Sequence, residues 1–283
     1  MKKSRIKKYI ETYKYNGLAA LFNRILGKLK IKYRIQTQIE RKKKFFLEKV
    51  LKISNKIVME GPYSGVKFDV ESHWNNYDFS SKLIGIYERA VQEKIIELKN
   101  TYQLENLINI GAGEGYHLVS LIKKNYFKTA TAYEIDKNGQ QYLKNNLKLN
   151  EIKSEIKIFG KGDFESIKNV LDNTVSKKTL FLIDIEGDEY TLLNYSFLEY
   201  FKNCFFIIEL HENIINEKYK NIIDEFHENI KKFYNINKIE NDKLNPFKIK
   251  DLDFVDDDTR LLGVSEQRPS KMDWLVLKPK NIN

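Results

Sequence analysis

The chain has 283 residues, which is enough for one large domain with an appendage and a sizeable buried core. Its net charge of +10 is uneven, because residues 1–44 hold 15 Lys/Arg and 2 Asp/Glu whereas the rest hold 34 and 37. The basicity is therefore local, which argues against a nucleic-acid-binding body. One cysteine, Cys204, excludes an internal disulfide and fits a reducing compartment. We expect a cytoplasmic protein, since the sequence shows no signal-peptide core and no apolar run near the ~18 residues of a membrane span.

Residues 1–60 are predicted to form a basic helical N-terminal extension. Apolar side chains recur there at helical spacing among Lys and Arg residues: Ile10, Leu18, Leu21, Phe22 and Ile25. Such an extension packs on the body or on a second subunit, or it binds an acidic partner protein or the anionic inner face of the membrane. The sequence does not decide among these alternatives or fix the oligomeric state.

Residues 61–100 are predicted to be a loop and a helix that precede the core. The turn-rich and aromatic segment 61–80 indicates a loop or short hairpin, whose Trp74 is a candidate substrate contact. The apolar spacing over residues 81–99 predicts one helix, which begins after a cap at Ser80 or Ser81. Glu88 on this helix is a candidate cofactor contact.

From residue 101 to the C-terminus, apolar strand-like runs alternate with helical ones. The predicted strands are 106–110, 129–134, 155–159, 179–185, 204–210, 234–239 and 273–278. The predicted helices are 115–125, 137–149, 164–172, 188–201 and 213–233, and a polar insertion covers 241–271. This α/β alternation indicates a mostly parallel sheet with helices on both faces.

A glycine-rich turn follows the first predicted strand and precedes a helix. Its candidate cofactor-binding residues are Asn109, Gly111, Ala112, Gly113 and Gly115. Strand, glycine turn and helix form a cradle for a nucleotide-type cofactor, because glycine permits close approach and the helix offers free N–H groups. A dinucleotide fingerprint requires glycine at the sixth position, where this chain has Tyr116. S-adenosylmethionine is therefore favoured.

Two acidic residues after the next strands complete the predicted cofactor site. Glu134 ends the second strand, where a carboxylate can accept hydrogen bonds from both ribose hydroxyls. The alternative for Glu134 is a charge at the N-terminus of the next helix. Asp163 follows the third strand, where it either accepts the adenine amino group or caps the following helix.

The stretches NIGAGEGYH (109–117), AYEID (132–136) and DIEGDE (184–189) resemble FkbM-like S-adenosylmethionine-dependent methyltransferases. The resemblance extends from about residue 61 to the C-terminus. It implies the Rossmann-like class I methyltransferase fold, with seven strands of which the last is antiparallel, and methyl transfer to a hydroxyl. Asn109 stands where many methyltransferases have an acid, so the resemblance implies no charged contact from that position to the methionine amine.

The fourth and fifth predicted strands end in acidic residues and a histidine. Asp184 and Glu186 should approach Glu209 and His211 there, because residues two apart share a face and strand ends meet at one edge. Converging carboxylates require a cation: the sulfonium, a Lys or Arg, or a metal. His211 is the first candidate for the general base, and Asp184 would orient it or contact the methionine end of the cofactor. In the rival mechanism Asp184, Glu186 and His211 hold Mg²⁺ or Mn²⁺.

The polar insertion contains two further candidate substrate contacts, Arg260 and Arg268, and Glu209 is a third. A planar guanidinium suits bidentate binding of carboxylate, phosphate or vicinal hydroxyls. The alternative is a surface loop that is tied by its own salt bridges.

The leading hypothesis is an O-methyltransferase for a sugar hydroxyl of a surface glycan or its precursor. A small-molecule O-methyltransferase of secondary metabolism is the enzymatic alternative. Two further hypotheses are not enzymatic: a nucleic-acid-binding protein that uses the basic extension, and a non-catalytic cofactor-binding scaffold. The acidic strand ends disfavour the nucleic-acid hypothesis, because they would repel phosphate.

Overall fold

The computed structural model describes residues 2–71, 78–171, 178–212, 220–240, 245–266 and 272–281. Within these residues, four helices precede the sheet: α1 (Lys2–Lys28), α2 (Gln38–Ser54), α3 (Phe79–Ile84) and α4 (Arg89–Tyr102). The strands are β1 (Asn106–Ile110), β2 (Thr129–Tyr133), β3 (Ile156–Phe159), β4 (Thr179–Ile183), β5 (Phe205–Leu210), β6 (Tyr234–Ile239) and β7 (Asp273–Pro279). The helices among them are α5 (Tyr116–Lys123), α6 (Lys137–Leu149), α7 (Phe164–Val170), α8 (Glu189–Leu192), α9 (Tyr195–Tyr200), α10 (Lys220–Phe233) and α11 (Asp257–Gly263). The predicted contacts Trp74 and Arg268 lie outside the described residues.

The seven strands form one sheet in the order β3-β2-β1-β4-β5-β7-β6. Strands β1 to β5 run parallel, and β7 lies antiparallel between β5 and β6. This is the seven-stranded arrangement of the Rossmann-like class I methyltransferase fold. The predicted fold class is confirmed.

Alternating side chains of the central strands pack into two separate cores, one on each face of the sheet. Leu180 and Leu182 of β4 join one core, whereas Phe181 and Ile183 join the other. Every residue of β4 and β5 is buried. Strands covered on both faces must be apolar throughout, which is why the continuous apolar runs predicted the strand positions well.

The prediction of one helix over residues 81–99 is wrong, because α3 ends before α4 begins. Gly85 has a φ of +91°, and a Cβ there would lie 2.0 Å from the Glu60 carbonyl oxygen, so the chain needs glycine at this point. Ser80 and Ser81 lie inside α3 rather than at its cap. The predicted helix 188–201 is also two helices, α8 and α9, and Asn194 caps the second.

Helix α2 connects the N-terminal extension to the body by packing on α3 and α11. It begins with a capping box, in which Thr37 and Glu40 satisfy each other's backbone N–H groups. Phe46 is fully buried, and its ring centroid lies 5.9 Å from that of Phe254. The same ring covers Gly263, where a Cβ would approach it to 2.2 Å.

Two adjacent phenylalanines of α2 provide a matched test of this docking. We expect Phe46→Ala to lower the free energy of unfolding by about 3–4 kcal/mol, because it leaves a cavity in a packed site. Phe45 is 46% exposed. Phe45→Ala should therefore change stability by less than about 0.5 kcal/mol. Urea unfolding of both variants measures the difference, and equal losses would show that α2 does not dock through Phe46.

Candidate active site

One cavity of about 970 Å³ opens at the carboxyl ends of the parallel strands. It lies where the strand order reverses between β1 and β4, the place at which open α/β sheets bind ligands. Gly111 follows β1 there with a φ of +80°, and a Cβ on it would lie 1.6 Å from the Asp184 carbonyl oxygen. The glycine thus lets the two strand ends meet directly under the cavity.

The glycine turn is held in place by Glu134, which is buried at the end of β2. Its Oε2 accepts the Gly113 N–H at 2.7 Å, and its Oε1 accepts the Asp136 N–H at 2.8 Å. Each carboxylate oxygen keeps a lone pair for another donor. Glu134 therefore stands rigidly on the cavity wall, in the position predicted for a ribose contact.

Two other predicted cofactor residues, Asn109 and Asp163, line the same cavity in different ways. Asn109 is buried, and its Nδ2 donates to the Leu182 carbonyl at 3.3 Å, so the amide ties β1 to β4. Asp163 is exposed and forms a capping box with Ser166 at the start of α7. Its backbone hydrogen bond from Ser166 lowers the pKa of Asp163. The capping alternative is thus observed for Asp163, beside its place on the cavity wall.

Glu88 reaches the cavity because the chain breaks between α3 and α4. Its φ is +47° and its side chain is buried. Glu88 Oε2 lies 2.7 Å from His117 Nε2, and His117 Nδ1 lies 2.8 Å from the Tyr63 hydroxyl. A polar chain therefore runs from the core through His117 to a carboxylate on the cavity wall.

His211 lies at the centre of a converging set of carboxylates, as the strand ends predicted. Its Nε2 is 3.6 Å from one carboxylate oxygen each of Asp184, Glu186 and Glu209. His211 and Glu209 are buried, Asp184 is half-buried and Glu186 is exposed. The four predicted residues therefore meet around one ring nitrogen.

Glu189, which was not predicted as a site residue, holds the imidazole from its other side. Its Oε1 accepts the His211 backbone N–H at 2.9 Å and lies 3.1 Å from His211 Nδ1. Its Oε2 accepts the Gly187 N–H at 2.8 Å. A carboxylate accepts hydrogen bonds, so this contact places a proton on Nδ1 and directs Nε2 to the other carboxylates. Its place as the last residue of DIEGDE (184–189) could have indicated a site role. The strand argument did not include it, because Glu189 lies beyond the end of β4.

The charges around His211 shift the protonation equilibria of the cluster. Burial by itself lowers the pKa of His211, but the hydrogen bond to Glu189 and the nearby carboxylates raise it above its usual value. Burial and the neighbouring Glu88 carboxylate raise the pKa of Asp184 to about 6. The neighbouring carboxylates thus raise the pKa of both groups, whereas burial acts in opposite directions on the two.

The cluster also fits a divalent cation. Ligand atoms of Asp184, Glu186 and His211 lie within 4.8 Å of one another. Asp184 Oδ1 is buried without a hydrogen-bond partner among the described residues. Carboxylate oxygens and an imidazole nitrogen suit Mg²⁺ or Mn²⁺, so the predicted ligand set is geometrically able to hold the ion.

Another part of the cavity wall holds a buried ion cluster that was not predicted from the sequence. Lys82 Nζ contacts the Glu114 carboxylate and lies 3.2 Å from Asp78 Oδ2. Burial by itself lowers the pKa of Lys82, but Glu114 and Asp78 raise it well above its usual value. Since Glu114 belongs to the glycine turn, the cluster fastens that turn to α3. In the sequence, the only indication of this cluster was a lysine beside the apolar residues of the predicted helix.

Lys82→Met tests this cluster. We expect a loss of about 3–5 kcal/mol in the free energy of unfolding, because removing one partner leaves uncompensated buried carboxylates. Lys94 pairs with Glu97 on the surface of α4. Lys94→Met should cost less than about 1 kcal/mol, as surface pairs do. Chemical denaturation of both variants gives the comparison, and a small loss for Lys82→Met would mean that the carboxylates are neutral in the folded protein.

Arg260 does not reach the cavity, so its predicted role in substrate binding is corrected to one of packing. Its Nη2 donates to the Leu252 carbonyl at 3.0 Å and to Asp253 Oδ1 at 3.1 Å. The insertion contributes Glu266 to the cavity wall instead, and Met272 and Trp274 follow it. Glu266 accepts the Glu88 backbone N–H at 2.9 Å, which links the insertion to the break between α3 and α4.

No family model and no curated protein matches this sequence. Among solved structures, an O-methyltransferase from Bacillus cereus in complex with SAH is 11% identical, with 91% of this chain and 97% of that chain covered and a TM-score of 0.45. TYW2 of M. jannaschii in complex with AdoMet is 13% identical, with 74% and 78% covered and a TM-score of 0.39. Likenesses this distant do not identify the substrate of this chain.

Proposed function

We propose that this chain is an S-adenosylmethionine-dependent O-methyltransferase that acts on a sugar hydroxyl of a surface glycan or its precursor. One observation carries the proposal. A glycine turn braced by Glu134 after β1 and a histidine braced by Glu189 after β5 face the same cavity, on either side of the end of β4. The first arrangement suits an adenosine-type cofactor, and the second suits deprotonation of a hydroxyl beside it.

Methyl transfer requires alignment of the acceptor oxygen with the methyl group, and the acceptor must lose a proton. When bound, S-adenosylmethionine supplies an electrophilic methyl group on a sulfonium. Glu134 and the turn around Gly113 would hold the adenosine end of this cofactor, and Glu88 and Asp184 would offer negative charge to its cationic end. His211 Nε2 accepts the hydroxyl proton, while Glu189 fixes the ring and the surrounding carboxylates stabilise the imidazolium.

A divalent cation held by Asp184, Glu186 and His211 is the alternative means of activating the hydroxyl. Asp184 Oδ1 is buried and forms no hydrogen bond among the described residues, which supports this alternative, as does the short span of the three ligand atoms. Such a cation would supply a Lewis acid that lowers the pKa of the acceptor hydroxyl. Glu189 would then orient His211 as a ligand rather than as a base.

The sugar assignment is supported by the resemblance of DIEGDE (184–189) to FkbM-like methyltransferases and by the acceptor side of the cavity. Trp274 and Met272 line that side next to Glu209. An aromatic ring beside a carboxylate matches the apolar face and the hydroxyls of a pyranose.

The test is transfer of a labelled methyl group from S-adenosylmethionine to a panel of glycan precursors, with and without a chelator. Labelled glycan supports the proposal. Labelling of RNA or of a small metabolite alone would overturn the sugar assignment. Activity that survives exhaustive chelation would eliminate the metal alternative and leave His211 as the base.

A further inference from the structure

The outer part of the N-terminal extension, residues 7–35, exposes a stripe of apolar side chains. Leu18, Phe22, Ile25 and Leu29 are 71%, 50%, 40% and 64% exposed. The spacing of the first three places them on one side of the helix that follows Gly17, and Leu29 comes directly after the last residue of that helix. Ile31 and Tyr33, 47% and 70% exposed, continue the apolar surface beyond the helix.

The same segment is strongly basic. Residues 7–35 contain eight Lys/Arg and one Glu. Lys28, Lys30 and Lys32 are exposed close to the end of the apolar stripe. An apolar stripe flanked by lysines is the pattern of a helix that lies in the interface of an anionic bilayer.

Contacts within the segment give it a shape of its own. The helix is interrupted at Gly17, where φ is +77°. Arg24 then donates to Thr12 Oγ1 at 2.5 Å and to the Lys8 carbonyl at 3.3 Å, and Lys28 Nζ lies 4.4 Å from the centroid of the Tyr9 ring. The two halves of α1 thus fold against each other, and the exposed stripe belongs to an internally supported unit.

We propose that residues 7–35 bind the surface of an anionic lipid bilayer and hold the cavity of the body next to it. The positive charge is complementary to anionic headgroups, and the apolar stripe requires an apolar phase that nucleic acid does not offer. Helix α2 transmits this attachment, since it packs on α3, which carries Lys82 of the cavity wall, and on α11, which precedes Glu266. The proposal does not depend on the chemistry assigned to the cavity. None of the helices in the described ranges has the length and apolarity of a bilayer crossing.

The test is flotation of the purified full-length chain with two kinds of vesicle: pure phosphatidylcholine, and equal parts of phosphatidylcholine and phosphatidylglycerol. We expect binding to the anionic vesicles, and its loss in high salt, because screening removes the attraction between exposed charges. Leu18→Glu/Phe22→Glu should reduce the bound fraction at least about tenfold. Leu261→Glu/Ile222→Glu is the matched control, because it adds the same charge at exposed apolar positions of the body.

The control must bind as the unaltered chain does, and thermal unfolding must be the same for both double variants. Equal loss in the two variants would overturn the proposal, since net charge alone would then explain binding. Equal binding to neutral vesicles would overturn the requirement for anionic lipid. The proposal would also be overturned if the chain bound neither kind of vesicle but bound labelled RNA through residues 7–35. Dimerisation through Leu18 and Phe22, measured by sedimentation, would overturn it as well.

Discussion

Gly111→Ala should abolish cofactor binding and destabilise the fold more than any other glycine substitution in the turn. A Cβ at Gly111 would lie 1.6 Å from the Asp184 carbonyl oxygen and 2.7 Å from its carbon. Both atoms belong to the backbone, so a side-chain movement cannot relieve the clash. The ends of β1 and β4 must therefore move apart. With the added strain of a left-handed φ, we expect a loss of about 3–4 kcal/mol in the free energy of unfolding. Titration calorimetry should detect no S-adenosylhomocysteine binding.

Gly113→Ala is the matched control for stability. Gly113 also has a left-handed φ, +52°, but a Cβ there would meet no atom within 4 Å. Its substitution should cost about 1 kcal/mol, which is the conformational penalty alone. Urea unfolding separates the two contributions. If both variants lose the same stability, then close approach of the strand ends is not what Gly111 provides.

His211→Ala should lower the turnover number about a thousandfold and leave the dissociation constant of S-adenosylmethionine within about threefold. The reason is that, in the proposed mechanism, His211 accepts the proton of the acceptor hydroxyl, whereas Glu134 and the glycine turn hold the cofactor. His227 pairs with Glu212 away from the cavity wall. His227→Ala is therefore expected to keep full activity. Single-turnover kinetics with labelled cofactor measures both variants.

Glu189→Gln tests the positioning of the His211 imidazole separately from its role as a base. The substitution keeps an oxygen acceptor but removes the charge behind Nδ1, so turnover should fall about 10–100-fold with unchanged cofactor affinity. Unchanged turnover in His211→Ala would contradict the account and favour the non-catalytic scaffold. Unchanged turnover in Glu189→Gln alone would mean that the cavity carboxylates suffice to orient the ring.

The central strands of the sheet could be predicted because they are buried and mostly apolar. The runs ending in Ile110 and Leu210 were identified in this way, and the parallel pairing of these strands with β4 then places their ends at one edge. Asp184 and His211 followed from that placement. Local sequence and fold topology together were sufficient to predict that these two residues lie close together.

The features that were missed depend on contacts between segments distant in sequence. Gly85 interrupts an otherwise helical apolar pattern, and only the approach of Glu60 makes a break necessary there. Lys82 is buried because Glu114, on another segment, neutralises it. Arg260 turned toward Leu252 instead of the cavity, since the packing of the insertion, not its composition, decides the direction of a long side chain.

Equilibrium dialysis with labelled S-adenosylmethionine tests the central claim most directly, because it requires no knowledge of the acceptor. We predict saturable binding of one equivalent per chain, displaced by S-adenosylhomocysteine and not by NAD⁺. The absence of saturable binding, or displacement by NAD⁺ at similar concentration, would contradict the assignment of the glycine turn at Gly111 to a methyl-donor cofactor.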